Sequence, residues 1–479
     1  LSCKEKTLFT EVDAFEAGLD FENRLTETDA ENVMTYEYFY NGGGVAVADF
    51  NNDGFADVYL SGNQVANKLF LNLGKWNFKD VTQTAEIKEK QGWKTGVTAA
   101  DVNGDGLMDL YLSYSGNSKK EGHAEPVIPN YEGRSNALFI NQGNNADGVP
   151  VFKEMAKEYG LDAAGSFSTQ AYFLDYDLDG DLDMFLLNHA NKFYNTLINV
   201  KKLRSLRHPY YGNKLFENIG NKFVEVSEGS GINGTGINFG LSASISDLNN
   251  DGYPDIYVTN DYVEQDFCYI NQQNGTFKDI SKSAFGHLSK FSMGSDIADL
   301  NNDQKPDVFV LDMLPEDNYR QKVLKGPDQF NRERTLVDSG YHHQYMRNTL
   351  QLNRSVSADS SLAFSEQAQL SGVSNTDWSW APLLADFDND GLKDIFITNG
   401  YLRDFSNLDF TNYTVNEAIS QAQQSHSNVD IGLLVSKMSS TKVSNYVYKN
   451  KGEAQFVDKT SEWGIEKKNG IQCSCLCRF

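Results

Sequence analysis

The sequence predicts an all-β chain built from repeated four-stranded units. Three observations carry this. The pattern D-x-[DN]-x-D-G-x-x-D recurs six times, starting at Asp49, Asp101, Asp175, Asp247, Asp299 and Asp386, with Gln304 in place of the glycine in the fifth copy. A short small or apolar run precedes each copy. An apolar, strand-like run follows it, at residues 58–60, 110–112, 184–186, 256–258, 308–310 and 395–397. Spacings of 52, 74, 72, 52 and 87 residues mark a repeat architecture rather than a set of unrelated domains.

Taken in order, the chain opens on Leu1-Ser2-Cys3-Lys4. A small residue before a cysteine resembles the processed end of a bacterial lipoprotein, with Cys3 as the lipidated residue. Residues 1–8 are read as a linker and 9–465 as the repeat domain. Residues 9–12 (Phe-Thr-Glu-Val) look like a lone copy of the unit's last strand. In each unit, strand one is the run before the loop, such as residues 45–48, and strand two follows the loop. Strand three carries N-x-L-F-x-N at 67–72, 136–141 and 213–218, more loosely at 348–353 and 445–450. Strand four is F-x-[DE]-V, starting at Phe78, Phe152, Phe223, Phe277, Phe364 and Phe456. Four antiparallel strands repeated in this way describe propeller blades. Residues 414–424 place Val415, Ala418, Ile419 and Ala422 at helical spacing, which predicts a short docked helix.

The loop chemistry is that of calcium. Oxygens at positions 1, 3 and 5 of a tight loop point inward, glycine at position 6 permits the turn, and Asp at position 9 completes an all-oxygen shell. The ligand sets are Asp49, Asn51, Asp53 and Asp57; Asp101, Asn103, Asp105 and Asp109; Asp175, Asp177, Asp179 and Asp183. The remaining three are Asp247, Asn249, Asp251 and Asp255; Asp299, Asn301, Asp303 and Asp307; Asp386, Asp388, Asp390 and Asp394. An EF-hand would need Glu at position 12, which is apolar in every copy. The bland alternative, a solvated Asp/Asn/Gly hairpin turn, does not require the position-9 carboxylate. Loops 3 and 6 are expected to bind tightest, because Asp177 and Asp388 replace Asn. Loop 5 is expected to be weakest, because Gln304 replaces the glycine.

The net charge is −24, and the loop ligand positions hold 20 aspartates. Six Ca²⁺ would bring −24 to −12, so much of the acidity is ligand rather than repelling surface. The balance excludes a nucleic-acid backbone as partner. No apolar run approaches the ~20 residues of a membrane-spanning helix. The five cysteines, Cys3, Cys268, Cys473, Cys475 and Cys477, form no disulfide framework.

On the loop, strand one and N-x-L-F-x-N together, residues 9–465 resemble bacterial VCBS/FG-GAP repeat proteins. That blade type is shared with the integrin α-subunit head and cartilage acidic protein. The resemblance implies a seven-bladed β-propeller that binds calcium on one face and serves adhesion or ligand binding. Only six loops are present, and residues 466–479 look like a truncated or aberrant tail. The expectation is therefore an incomplete seven-bladed ring with a gap between blades 1 and 6, and residues 9–12 closing a blade whose other strands are missing.

Strand parity puts the calcium loops on one edge and the two–three connections on the other. The long insertions, at 116–135, 188–212, 312–347 and 400–444, are all two–three connections. Tyr194, Arg207, Tyr210, Tyr211, Tyr341 and Tyr401 lie in them, and Trp378 and Trp380 on a neighbouring connection. Aromatics with Arg suit an interface or a sugar platform, or equally the packing of the insertions onto the disc. No G-x-S-x-G, H-E-x-x-H or phosphate loop occurs, so an enzyme is not expected. The expected function is an extracellular or cell-surface calcium-binding propeller that takes a protein or glycan ligand through the insertion face. The alternatives are a glycan-active enzyme such as a polysaccharide lyase, or a structural module of a larger surface protein.

Overall fold

The computed structural model describes residues 7–29, 31–116, 132–191, 200–326, 330–355 and 362–466. Cys3, Tyr194 and the terminal Cys473, Cys475 and Cys477 lie outside the described residues. Six four-stranded antiparallel sheets follow one another, each with its strands in sequence order. The first is Val45–Ala48, Asp57–Leu60, Lys68–Asn72 and Phe78–Asp80. The sixth is Ser379–Ala385, Asp394–Asn399, Tyr446–Asn450 and Phe456–Asp458. Each D-x-[DN]-x-D loop joins strands one and two, as the pattern requires.

Second strands such as Asp183–Asn188 and Asp255–Asn260 are buried along their whole length. The reason is that both faces of a blade are covered by neighbours. Met184 and Leu186 pack toward blade 2, whereas Phe185 and Leu187 pack toward blade 4. Apolar cores of this kind join blades 1–2, 2–3, 3–4, 4–5 and 5–6. Near the axis the first strands touch directly. A Cβ on Gly96 would overlap the Thr169 carbonyl and the Gln170 side chain of the next blade, so only glycine allows that approach.

Among the described residues, blades 6 and 1 share no such core. The free face of blade 1, with Val58, Leu60, Phe70 and Phe78, is covered instead by Ala17, Leu19 and Phe21. Residues 9–12 are not a strand, contrary to expectation, yet Phe9 keeps its place in the repeat. The strand-four N–H of Phe152 donates to Ala85 O of the blade before it (2.9 Å), and that of Phe277 to Ser230 O (2.7 Å). Phe9 N–H donates to Trp463 O at 3.0 Å in the same way, with its ring 5.7 Å from that of Phe387. Residues 7–29 therefore occupy the space between blades 6 and 1. On the insertion side, Arg403 pairs with Glu27 at 2.6 Å and ties blade 6 to that segment.

A second core lies over the ring on the insertion side. The short helix Glu37–Tyr40 inserts Tyr38, Phe39 and Tyr40 among Phe167, Phe239 and Trp378. The predicted helix over 414–424 is present as Phe410–Val415, wound as a π-helix, running into Asn416–Ser425. Val415 and Ala418 pack onto this core and Ala422 is buried, while Ile419 points outward and is 41 % exposed.

Candidate calcium loops and the insertion face

The six loops share one hydrogen-bond scheme, built by the ligand residues themselves. In loop 1, Asp49 accepts the N–H of Asp53 (3.0 Å) and of Gly54 (2.8 Å), while Asp53 accepts that of Phe55 (2.9 Å). Asp57 at position 9 is buried and accepts Phe50 N–H (3.0 Å) and Asn72 N–H (2.8 Å) on separate oxygens. The same two donors recur at Asp109, Asp183, Asp255, Asp307 and Asp394. Position 9 is thus a clamp between the loop and strand three as well as a candidate ligand. The last Asn of N-x-L-F-x-N supplies one of those donors. In several blades its amide also reaches the preceding blade, as Asn141 does to Phe50 O (2.9 Å) and Asn450 to Leu300 O (2.8 Å).

Burial pushes the position-9 carboxyls up, to about 6 at Asp57 and Asp307 and to about 7 at Asp109, Asp183 and Asp255. The neighbouring ligand aspartates push in the same direction, and the backbone donors oppose. Such a set of crowded, half-desolvated hard oxygens suits a divalent cation. The carboxylates of Asp175, Asp177 and Asp183, and those of Asp386, Asp388 and Asp394, lie within 4.8 Å of one another. Oδ1 of Asp388 and Oδ1 of Asp181, both at these two loops, are buried without a hydrogen-bond partner. An oxygen-only donor set with orphaned oxygens fits calcium. When bound, the ion would neutralise those charges and cross-link the two arms of the hairpin.

Neighbouring loops are also linked to one another. The position-4 amide of Asn52 donates to Gly106 O (3.3 Å), Asn250 to Gln304 O (3.2 Å) and Asn302 to Gly391 O (3.0 Å). Loops 2 and 3 have Gly104 and Leu178 at that position and cannot donate this way.

Loop 5 keeps the common scheme despite Gln304, whose N–H still reaches Asp299 at 2.8 Å. It does so at φ +66°, against +90° for Gly54. Left-handed backbone costs a non-glycine residue roughly 1–2 kcal/mol. Gln304→Gly is therefore expected to stabilise the calcium-free protein by about 1 kcal/mol and to tighten loop 5. Chemical denaturation in chelator, followed by calcium titration, checks both.

On the insertion face, where an interface and the packing of the insertions are equal expectations, the candidate side chains take the packed arrangement. Tyr211, Tyr341, Trp378 and Tyr401 are buried, at 6, 3, 8 and 7 % exposure. Tyr401 stacks on Trp378 at 4.2 Å, and Tyr211 on His208 at 4.0 Å. Tyr210 and Trp380 are half-buried against the same core. The Arg207 guanidinium donates to three backbone carbonyls, of Asn213, Ser227 and Ile232. Arg204 forms a buried ion pair with Glu264 at 2.8 Å and lies over the Tyr341 ring. Of the basic side chains between residues 201 and 208, Arg204 and Arg207 are thereby spent on internal partners, while Lys201 and Lys202 stay exposed. These side chains pack because each insertion must bury an apolar side of its own, and the aromatics supply it.

What remains open is the centre. A cavity of about 540 Å³ runs along the axis between the inner strands. A second, of about 400 Å³, is lined by Tyr36, Glu37, Tyr38, His189, Asn191 and Phe405. Burial pushes the Glu37 carboxyl up to about 7 and His189 down to about 4. His189 Nε2 lies 2.6 Å from Ser115 Oγ. Glu37, Tyr38 and His189 stand in no motif of the sequence. The density of rings in Tyr36-Glu37-Tyr38-Phe39-Tyr40 was the available signal.

A model of the FG-GAP-like repeat matches residues 49–112 and 247–310, which take in the loops at Asp49, Asp101, Asp247 and Asp299. Cartilage acidic protein 1 of Xenopus tropicalis is 23 % identical over 406 residues, 74 % of this chain and 57 % of its own length. The Mus musculus protein of the same name is 25 % identical over 284 residues, 55 % of this chain and 39 % of its own length. The chain thus spans less than two thirds of either relative. Among solved structures, an Agrocybe aegerita lectin specific for non-reducing terminal N-acetylglucosamine aligns at TM-score 0.43 and 13 % identity, covering 90 % of this chain and 86 % of that one. Two stretches of the chain thus match the FG-GAP-like repeat, and all six units share one loop scheme and one strand order in a six-bladed β-propeller.

Proposed function

We propose that the protein is an extracellular calcium-binding propeller that holds a protein or glycan ligand at the insertion-side mouth of its central cavity, without turning it over. The observation that carries the calcium part is the six-fold loop scheme with its orphaned carboxylate oxygens at Asp181 and Asp388. The ligand part rests on the cavity beside Tyr36, Tyr38 and His189, since aromatic walls with a few polar groups suit a sugar or a peptide side chain. An extracellular setting fits, because weak oxygen-only sites fill at the millimolar calcium found there. Anchorage through a lipid on Cys3 belongs to the same reading.

A glycan array probed with the calcium-loaded protein, run beside a depolymerisation assay on the glycans retained, tests the ligand part. Binding that persists without product, and that is weakened in Tyr38→Phe at an unchanged melting temperature, is the expected result. Release of shortened glycan would make the protein an enzyme. Calcium stoichiometry near six after equilibrium dialysis is expected for the loops, and no retained calcium would overturn that part.

A further inference from the structure

Loops 3 and 6 are the two with aspartate at position 3, Asp177 and Asp388, and by ligand charge alone they should bind calcium equally well. Their surroundings differ. In loops 1, 2 and 4 the position-3 asparagine amide donates to the position-5 aspartate: Asn51 to Asp53 (3.0 Å), Asn103 to Asp105 (3.0 Å) and Asn249 to Asp251 (2.9 Å). Aspartate at position 3 cannot donate, so that carboxylate pair must be satisfied from elsewhere. In loop 6 the donor is Lys449, whose Nζ binds Asp388 and also Asp390 at 2.6 Å. Lys449 stands on strand three, one residue before the terminal Asn450. The residues at the same step in blades 1, 2, 4 and 5 are Leu71, Ile140, Ile270 and Leu352. In blade 3 the residue is Glu217, a carboxylate at the step where blade 6 has its ammonium. Loop 3 also carries Asp181 at position 7, where the other loops have Phe55, Leu107, Tyr253, Lys305 and Leu392. One all-aspartate loop therefore has its own ammonium, and the other has two extra carboxylates.

We infer that Lys449 and Glu217 set the calcium affinities of these two loops in opposite directions, so that loop 3 fills first and loop 6 fills only after calcium displaces the Lys449 ammonium. This rests on the calcium reading above. It replaces equal affinities, expected from the ligands, with a graded response along one ring. Calcium affinity in oxygen sites follows the charge gathered around the ion, and a resident ammonium lowers that charge. The ammonium also keeps loop 6 closed at low calcium. Loop 6 should then be the part of the loop face least sensitive to chelation.

The test is calorimetric titration of the chelated full-length chain with CaCl₂. Asp386→Asn identifies the loop-6 step and Asp175→Asn the loop-3 step. Lys449→Met is expected to tighten the loop-6 step about tenfold, and Lys449→Arg to leave it weak. The tightening should vanish in the Asp386→Asn background. Independently, Glu217→Gln is expected to weaken the loop-3 step about tenfold, which keeps the inference testable should Lys449→Met fail to fold. A loop-6 step at least as tight as loop 3 in the unmodified protein, or no shift in either variant, overturns the inference and leaves calcium binding intact. Absence of any calcium heat overturns the calcium reading itself, and the inference with it.

Discussion

Chelation should lower the melting temperature by about 8 °C, the largest effect expected of any single treatment. At ~1 mM Ca²⁺ and a Kd of ~10⁻⁴ M, each site adds about 1.4 kcal/mol, and six independent sites roughly 8 kcal/mol. For a chain of this size the entropy of unfolding is roughly 0.9–1 kcal/mol per kelvin, which converts that energy to about 8 °C. The structural reason is repulsion. Each loop packs aspartates side by side, and the position-9 carboxyls are held above their ordinary range by burial. Without a cation the loops must protonate or open. Opening frees the Asp57-type clamp on strand three, so the loss reaches the blade. Scanning calorimetry with CaCl₂ and with EDTA measures it, and an unchanged melting temperature would show that the loops need no ion.

The second large effect is expected from Arg207, Tyr210 and Tyr211 replaced together by alanine. Removing Arg207 leaves the carbonyls of Asn213, Ser227 and Ile232 without their donor, at roughly 3–5 kcal/mol. Removing the buried Tyr211 ring costs about 3–5 kcal/mol more. The sites touch, so the sum is not additive. A fall in melting temperature of several degrees, with reduced soluble yield, is the expected result. Unchanged stability with loss of ligand would mean that these side chains serve a ligand after all. Tyr211→Phe, which keeps the ring, should be close to neutral.

The repeat, its four strands, the loop edge and the candidate ligands were legible in the sequence because each is a local property. A loop with oxygens at alternate positions closes on itself, and its nearest partners lie within nine residues. The unbroken apolar run Leu110, Tyr111 and Leu112 puts apolar side chains on both faces of its strand, and a blade between two blades buries them. Even the strain at Gln304 could be read, since position 6 of this loop demands left-handed backbone wherever it occurs.

The insertion face could not be read in this way. Tyr211 and Tyr401 look the same in sequence whether they meet a ligand or a neighbouring insertion. Which of the two occurs depends on where residues 32–40 run, a segment remote from both insertions. Lys449 likewise becomes a partner of loop 6 only because strand three returns beside the loop 59 residues after Asp390. The sequence by itself determined the blades and their oxygen-lined loops, because backbone geometry and ligand spacing act over a few residues. Only the tertiary structure decided which rings are core, which cations are already paired and what lies between blades 6 and 1. Those outcomes follow from contacts between distant segments, where burial and charge neutralisation fix the partners and spacing along the chain carries no record of them.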